Sequence, residues 1–172
     1  TFQIYGDFSG YSDIAIGCAK LFGIQLRDNF RYPYFSEDII AFWRRWHISL
    51  NSWFVDYVYI PLGGSRCAWG RHLRNLFIVF LLSGLWHGAN WTFVAWGLYH
   101  ALLYVCLLSY RQWSHRGLMC PSWLSVGFTF VCVLWGWILF RSADLASAGE
   151  YITRLFTTSW VALPKVSGVN NV

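Results

Sequence analysis

A histidine near the centre of the most apolar stretch of the sequence is the first residue to consider for chemistry. The stretch covers residues 76–110, contains no Asp, Glu, Lys or Arg, and has His87 near its middle. A run of this length and composition is typical of a membrane-embedded segment, where an ionisable side chain is costly to place and is therefore a functional-site candidate. Imidazole can act as a general base, and burial favours the neutral form that accepts a proton. The alternative interpretation, which the sequence leaves open, is that His87 is a hydrogen-bonded core residue without a chemical role.

A second histidine lies upstream, in a segment rich in arginine and tryptophan. Over about residues 37–57 the apolar side chains recur at helical spacing, whereas most polar ones, including Arg44 and Arg45, fall outside that face. A basic, tryptophan-rich amphipathic helix is expected to lie in the membrane interface rather than to cross the bilayer. His47 follows Trp43 by one turn, beside the apolar face, from which its ring could reach into the protein. The alternative is a solvated histidine in an interfacial helix.

Three further residues are candidates for a supporting or lining role. Asn90 would lie one turn beyond His87 if the helix continued, and its amide could then orient the imidazole or stabilise an oxyanion. Trp86 is adjacent to His87 and is predicted to line the same site. Asp13 is set among apolar residues, and two interpretations are open: it caps a helix that ends near Gly23, or its carboxylate faces a polar cavity.

Three apolar segments are predicted to position these residues within a membrane, at about residues 76–86, 91–108 and 122–140. The first is roughly 16 Å long at about 1.5 Å per residue, which is about half of a hydrocarbon core. His87 is therefore expected within the bilayer thickness if the chain breaks at residues 87–90. A tilted, continuous span through His87 is the alternative, and the sequence leaves both open.

The composition supports a membrane protein and excludes an ordinary soluble domain. The 172 residues are 56% hydrophobic, 21% aromatic and 12% charged, whereas soluble domains average about 25% charged residues. The 12 tryptophans fit this class because Trp gathers where membrane meets water. The predicted fold is an all-α, polytopic integral membrane bundle with one interfacial amphipathic helix. The chain does not begin with Met and is interpreted as a fragment of a larger protein.

The formal charge of +5 does not indicate a nucleic-acid-binding protein, because Lys and Arg are concentrated in short segments beside the apolar runs. Lipid headgroups and the positive-inside rule account for this placement. Membrane lipids are therefore predicted partners, and nucleic acid is not. The basic segments at residues 66–74 and 110–120 are both predicted on the cytoplasmic side.

No metal site, disulfide framework or bound cofactor is predicted. The five cysteines form no CxxC or CxxH pattern, and Cys106 and Cys132 lie in apolar runs, where Cys behaves as a small hydrophobe. No two histidines have the i, i+4 spacing of a helical metal site. His100 would fall on a different helix face from His87 and is predicted to be structural or to line the site.

Three stretches together resemble the membrane-bound O-acyltransferase family, and within it the bacterial alginate O-acetylation branch. They are YGDFSGYSDIAIG at residues 5–17, FWRRWHISLNSWFVDYVYIPLGG at 42–64 and SGLWHGANWTFVAWGLYH at 83–100. The resemblance covers roughly residues 5–156, so residues 1–172 are expected to form one partial domain of such a protein. It implies a bundle of membrane helices around a funnel or tunnel, with several passes through the bacterial inner membrane.

The resemblance also implies a reaction and roles for the two histidines. His87 matches the family's invariant histidine in an apolar helix and is expected to be catalytic, and His47 matches a second histidine of the site. The expected reaction is O-acetylation, in which His87 takes the proton of an acceptor hydroxyl as it attacks acetyl-CoA or another acyl thioester, a substrate rather than a bound cofactor. Arg44 and Arg45 could contact the phosphates of coenzyme A or, equally, those of lipids. Expected partners are periplasmic acetyl-transfer or polysaccharide-modifying proteins. A polysaccharide acceptor is also expected, and it would receive the acyl group directly or indirectly.

Two other functions are open on the residues alone. A membrane transporter or channel would place His87 and Asp13 on an ion or proton path. The sequence lacks the interrupted helices in repeated halves that are typical of many transporters. A non-catalytic scaffold would keep the same fold without transferring an acyl group.

Overall fold

The computed structural model describes residues 1–114 and 120–157, and the regular secondary structure of these residues is helical, without strands. The long helices are α1 (Phe2–Leu21), α4 (Trp69–His87), α5 (Trp91–Trp113) and α6 (Ser122–Arg141), and the shorter ones are α2 (Ile39–Arg45), α3 (Ile48–Phe54) and α7 (Leu145–Thr157). A 3-10 turn covers Pro33–Phe35, and α3 continues as a π-helical segment over Val55–Tyr59. The all-α prediction is confirmed for this part of the chain.

Helices α4 and α5 form an antiparallel hairpin whose connection is residues 88–90. Gly88 ends α4 with a φ of 157°, and a Cβ added there would lie 2.7 Å from the Phe93 ring, so this position has no room for a side chain. The Asn90 side chain accepts a hydrogen bond from Thr92 N at 3.1 Å and so caps α5. The sequence left open whether the chain breaks near His87 or continues as one helix. In the structure it breaks at the connection.

Two glycines let α4 and α5 approach closely. A Cβ added at Gly84 would collide with Phe93 O, and one added at Gly97 would lie 2.5 Å from Phe80 O. Each added Cβ would also lie 3.5 Å from the Cα of the other glycine. Small residues at such a crossing allow backbones to touch, which is a common way for apolar helices to pack.

Two helices of the described part, α5 and α6, are long and apolar enough to span a membrane by length and composition. They contain the predicted apolar segments 91–108 and 122–140, whereas the predicted segment 76–86 is the second half of α4. The first turns of α4 are basic, with Arg71 and Arg74, so this helix as a whole is less apolar than α5 and α6.

The two basic segments lie at the same end of the hairpin. The first leads into the start of α4, and Arg111 lies in the last turn of α5. Because the helices are antiparallel, both segments can face one side of a membrane, and that side stays a prediction. Residues 115–119 of the second segment lie outside the described residues.

The segment predicted as one amphipathic helix, residues 37–57, is divided by a kink. Helix α2 ends at Arg45, and α3 begins at Ile48. Between them His47 has a left-handed backbone conformation, with φ 45° and ψ 55°, which interrupts a right-handed helix. The spacing of apolar residues does not show this break, because the break is stabilised by polar side chains outside the apolar pattern.

Helix α1 begins at Phe2, with Thr1 as its N-cap, and runs through Asp13. The prediction that Asp13 caps a helix is therefore wrong, because the residue lies within a helix that already extends to its N-terminal side. Its side chain is exposed, and its carboxylate makes no hydrogen bond or ion pair with the other described residues.

An aromatic core lies where α2, α5 and α6 meet. Trp43, Trp96 and Trp137 are buried there, with ring centroids 5.6 Å apart for Trp43–Trp96 and 6.3 Å apart for Trp96–Trp137. His100 is completely buried against the first two rings, and a Cβ added at Gly136 would collide with its Nε2 atom. His100 is therefore a core residue. This core packs the helix that precedes His47 against the helix that follows His87.

Candidate active site

His87 is the last residue of α4, and its ring is half-buried among aromatic side chains from three helices. The ring centroids of Trp96 on α5 and Phe140 on α6 lie 5.2 Å and 4.9 Å away, both nearly perpendicular to the imidazole. The rings of Trp86 and Phe93 lie at 5.0 Å and 6.2 Å. The imidazole thus faces the interior of an aromatic corner formed by α4, α5 and α6.

His47 occupies the kink between α2 and α3, and its ring is half-buried against Phe8 of α1, 4.5 Å away between centroids. Burial lowers the pKa of His47 to about 4, with a smaller contribution from the nearby His87. Its Nδ1 atom is buried and has no hydrogen-bond partner among the described residues. His47 is therefore neutral at pH 7, with one ring nitrogen that no described side chain or backbone group satisfies.

Trp86 lies near both histidines. Its ring centroid is 6.2 Å from that of His47 and 5.0 Å from that of His87, and its side chain is 59% exposed. The structure thus brings together three residues that the sequence singled out, although His47 and His87 come from different segments. A molecule that reaches the exposed indole would lie close to both imidazoles.

Asn90 does not lie one turn beyond His87 in a helix, because α4 ends there. Its Oδ1 accepts a hydrogen bond from Thr92 N, and its Nδ2 donates one to Ala143 O at 2.6 Å. The continuous helix on which the predicted role of Asn90 depended is therefore not formed. The amide instead caps α5 and ties the hairpin connection to the segment between α6 and α7, which stabilises the corner around His87 and Phe140.

A cavity of about 480 Å³ lies beside the kink, and Trp43, Ile48 and Asn51 are part of its wall. Of the two arginines singled out from the sequence, Arg44 is exposed and lines this cavity. Arg45 instead donates a hydrogen bond to Phe35 O at 3.2 Å. The remaining lining is mostly apolar and comes from α2, α3, α4 and α5, with Arg27 and Asp56 also present. The two arginines therefore have different surroundings.

Carboxylates are not grouped around the histidines. Asp13 is exposed on α1, and the ion pairs found among residues 1–114 and 120–157 join Asp38 to Arg111 and Glu150 to Arg154. Within the same residues no group of three or more His, Cys, Asp or Glu side chains could hold a metal ion. The immediate surroundings of both imidazoles are aromatic.

Four residues that the sequence did not single out contribute to the site. Trp96 and Phe140 enclose His87, and Asn29 and Asn51 hydrogen-bond the backbone at the kink. Apolar spacing marks the two aromatic residues only as core, because it does not show which helix faces meet. The position of Asn51 weakly indicates a break in the helix, since an Asn inside a helical segment can bond to nearby backbone groups instead of supporting the helix.

The chain matches the family model described as MBOAT, membrane-bound O-acyltransferase family, over residues 1–148. It is 43% identical over 171 residues to the probable alginate O-acetylase AlgI of Pseudomonas fluorescens, covering 99% of this chain and 34% of that protein. The probable alginate O-acetylase AlgI of Azotobacter vinelandii is 44% identical over 158 residues, 91% of this chain and 31% of that protein. The peptidoglycan O-acetyltransferase of Helicobacter pylori is 42% identical over 171 residues, with coverages of 97% and 32%. The chain thus spans about a third of the length of these relatives.

Proposed function

The chain belongs to the membrane-bound O-acyltransferase family, and from this premise we propose that it takes part in transferring acyl groups to the hydroxyls of a polysaccharide, with His87 as the general base. One observation carries the proposal: His87 lies in an aromatic corner of three helices, and Trp86 lies near both His87 and His47. Two neutral imidazoles near one exposed indole could hold an acceptor and a donor in contact, which lowers the entropy cost of their reaction.

In the proposed reaction an acceptor hydroxyl attacks the carbonyl carbon of an acyl thioester. His87 takes the hydroxyl proton as the new C–O bond forms, because an alcohol is a poor nucleophile at neutral pH. The C–S bond then breaks, and the departing thiolate takes the proton from His87, so that an ester and a free thiol result. The surrounding aromatic rings, of which Trp96 is only 1% exposed, would exclude water that could otherwise hydrolyse the thioester.

His47 is proposed to hold a substrate rather than to remove the proton. Burial lowers its pKa to about 4, so the ring is neutral at pH 7, and its Nδ1 has no partner among the described residues. A neutral imidazole donates a hydrogen bond from one nitrogen and accepts one at the other. In this state His47 could donate to the thioester carbonyl oxygen, on which negative charge develops during the attack.

The donor is proposed to be acetyl-CoA or another acyl thioester that enters the cavity beside the kink. Support comes from the cavity wall, where Trp43 and Asn51 lie next to the segment that carries His47. Arg27 and Arg44 are exposed at the same cavity, and guanidinium groups suit phosphate. The mostly apolar remainder of the lining suits the thiol-bearing arm of such a donor, whereas lipid phosphates are the competing ligands for the two arginines.

The acceptor is proposed to be a bacterial exopolysaccharide such as alginate. The name of one relative, a probable alginate O-acetylase, supports alginate, and that of another, a peptidoglycan O-acetyltransferase, supports a polysaccharide acceptor in general. An inner-membrane location in a multi-pass helical bundle is proposed as well, since α5 and α6 are long and apolar enough to span a membrane. The acyl group would then reach the polymer directly or through periplasmic acetyl-transfer or polysaccharide-modifying proteins.

The test is His87→Ala in the full-length protein, with the acetyl ester content of the polymer measured alongside the amount of protein in the membrane. We expect the rate of ester formation to fall about 100-fold or more, because a general base contributes about 10²–10⁴-fold. His72→Ala is the matched control, since His72 lies at the opposite end of α4, and it should leave the ester content unchanged. Unchanged acetylation with His87→Ala would support a scaffold instead, and ion flux in vesicles without any acyl donor would support a transporter.

A further inference from the structure

The kink that carries His47 leaves backbone groups that the helix cannot satisfy. His47 adopts φ 45° and ψ 55°, a conformation that is unfavourable for a residue with a Cβ and persists only where the surroundings impose it. Helix α2 ends at Arg45, so Trp43 O in its last turn and Trp46 O beyond it lack the N–H groups that a continuous helix would supply. Other groups must therefore hold these carbonyl oxygens.

The Asn51 side chain satisfies both of them. Its Nδ2 donates hydrogen bonds to Trp43 O and to Trp46 O, each at 2.6 Å. An amide nitrogen carries two hydrogens, so both donors of Asn51 are engaged at the kink. Asn51 N also donates to His47 O at 3.0 Å. One residue of α3 is thus bonded to the end of α2 and to His47 itself.

The start of α3 is held separately, from the loop that precedes α2. Asn29 O accepts a hydrogen bond from Ile48 N at 3.0 Å, and Asn29 Oδ1 accepts from the backbone N–H and the hydroxyl of Ser49. Asn29 Nδ2 donates to the buried Ser12 of α1 at 3.2 Å. The start of α3 is therefore fixed to α1, and the side chain of Asn51 fixes the end of α2 to α3.

We propose that Asn51 is a positioning residue for acyl transfer: by holding the kink, it keeps the His47 ring turned towards Trp86 and His87. This inference rests on the proposed function, because it assumes that His47 contacts a substrate. Asn51 also lines the cavity beside the kink, but with both amide hydrogens engaged only its Oδ1 is left for a substrate. Its effect on the reaction is therefore exerted through His47, and a displacement of about 1 Å at such a group can slow a reaction about 100-fold.

A double-mutant cycle separates this role from a general loss of stability. Asn51→Ala, His47→Ala and the double variant are compared in the full-length protein in membrane vesicles, with acetyl-CoA as the donor and deacetylated alginate as the acceptor. We expect Asn51→Ala to lower kcat about 10- to 100-fold, with the KM for acetyl-CoA changed by less than about twofold. In the His47→Ala background the same substitution should lower kcat by no more than about twofold, because the ring that it positions is absent.

Asn75→Ala is the matched control for the loss of an amide bridge. Asn75 is fully buried, and its Nδ2 donates to Leu62 O and Gly64 O at 3.0 Å and 3.4 Å, which holds the loop before α4. Any effect of Asn75→Ala on kcat should be the same with and without the His47 ring. Asn51→Asp keeps the shape of the side chain but cannot donate when ionised, and its carboxylate would repel both carbonyl oxygens, so it should lower kcat at least as much as Asn51→Ala does.

Equal reductions of kcat by Asn51→Ala in both backgrounds, or a raised KM with an unchanged kcat, would overturn the positioning role. If His47→Ala alone leaves kcat unchanged, the proposed function of His47 fails, and the single variant shows this independently of Asn51. Should Asn51→Ala not accumulate in the membrane, Asn51→Ser, which retains one hydroxyl donor, is taken through the same cycle and judged by the same outcomes.

Discussion

The substitution Gly97→Ala should disturb the aromatic corner from within the crossing of α4 and α5. The added Cβ would lie 2.5 Å from Phe80 O, whereas carbon–oxygen contacts in proteins are about 3.3 Å or longer. Phe80 O belongs to the backbone and cannot rotate away, so the two helices must separate by about 0.8 Å to reach that distance. His87 ends the same helix as Phe80, and its ring would move relative to Trp96 on α5.

A shift of this size at the proposed base is expected to lower kcat about 10- to 100-fold. Overpacking of the crossing should also destabilise the protein by about 1–3 kcal/mol. The assay is acetyl ester formation by membrane vesicles supplied with acetyl-CoA, at matched amounts of the full-length protein. Thermal unfolding in detergent measures the loss of stability separately.

Gly127→Ala is the matched control, because a Cβ added at Gly127 in the apolar helix α6 meets no atom within 4 Å. Replacing a helical glycine by alanine should stabilise α6 by up to about 1 kcal/mol and leave the rate unchanged. Equal rates for Gly97→Ala and Gly127→Ala would refute the reasoning that the close contact of α4 and α5 positions His87.

Three other outcomes are expected. Gly136→Ala places a methyl group against His100 Nε2 in the core and should destabilise the protein by about 1–3 kcal/mol, seen as a lower midpoint of thermal unfolding than that of Gly127→Ala in the same helix. Asn90→Ala removes the cap of α5 and should cost about 1 kcal/mol, and an unchanged unfolding midpoint would contradict that contribution. Because burial lowers the pKa of His47 to about 4, its ring becomes charged only as the pH falls through about 4. The ratio of the wild-type rate to the His47→Ala rate should therefore stay constant at neutral and mildly acidic pH and change only as the pH falls through about 4. A change of this ratio near 6.5, the ordinary pKa of histidine, would show that the His47 ring is not buried.

Long apolar runs made parts of the fold predictable. The segments 91–108 and 122–140 lie within α5 and α6, and His87 stands out in the sequence as the histidine near the middle of the longest apolar run. Runs of this kind specify helices because a backbone without water nearby must satisfy its own hydrogen bonds.

The ends of helices were less predictable. The kink at His47 depends on the amide of Asn51 and on Asn29, which comes from a loop before α2. The sequence left open whether the chain at Asn90 breaks or continues as a helix, and in the structure Asn90 caps α5 and bonds to Ala143. In each case a polar side chain meets a backbone group that local apolar spacing does not describe.

The sequence by itself determined the all-helical class and the family, since the stretches 42–64 and 83–100 indicated a membrane-bound O-acyltransferase and the comparisons confirmed it. Only the tertiary structure decided that Trp86 lies near both His47 and His87. The physical reason is that spacing along one segment specifies a helix and its apolar face. Contacts between segments depend instead on how closely their backbones approach and on which side chains satisfy the ends of the helices.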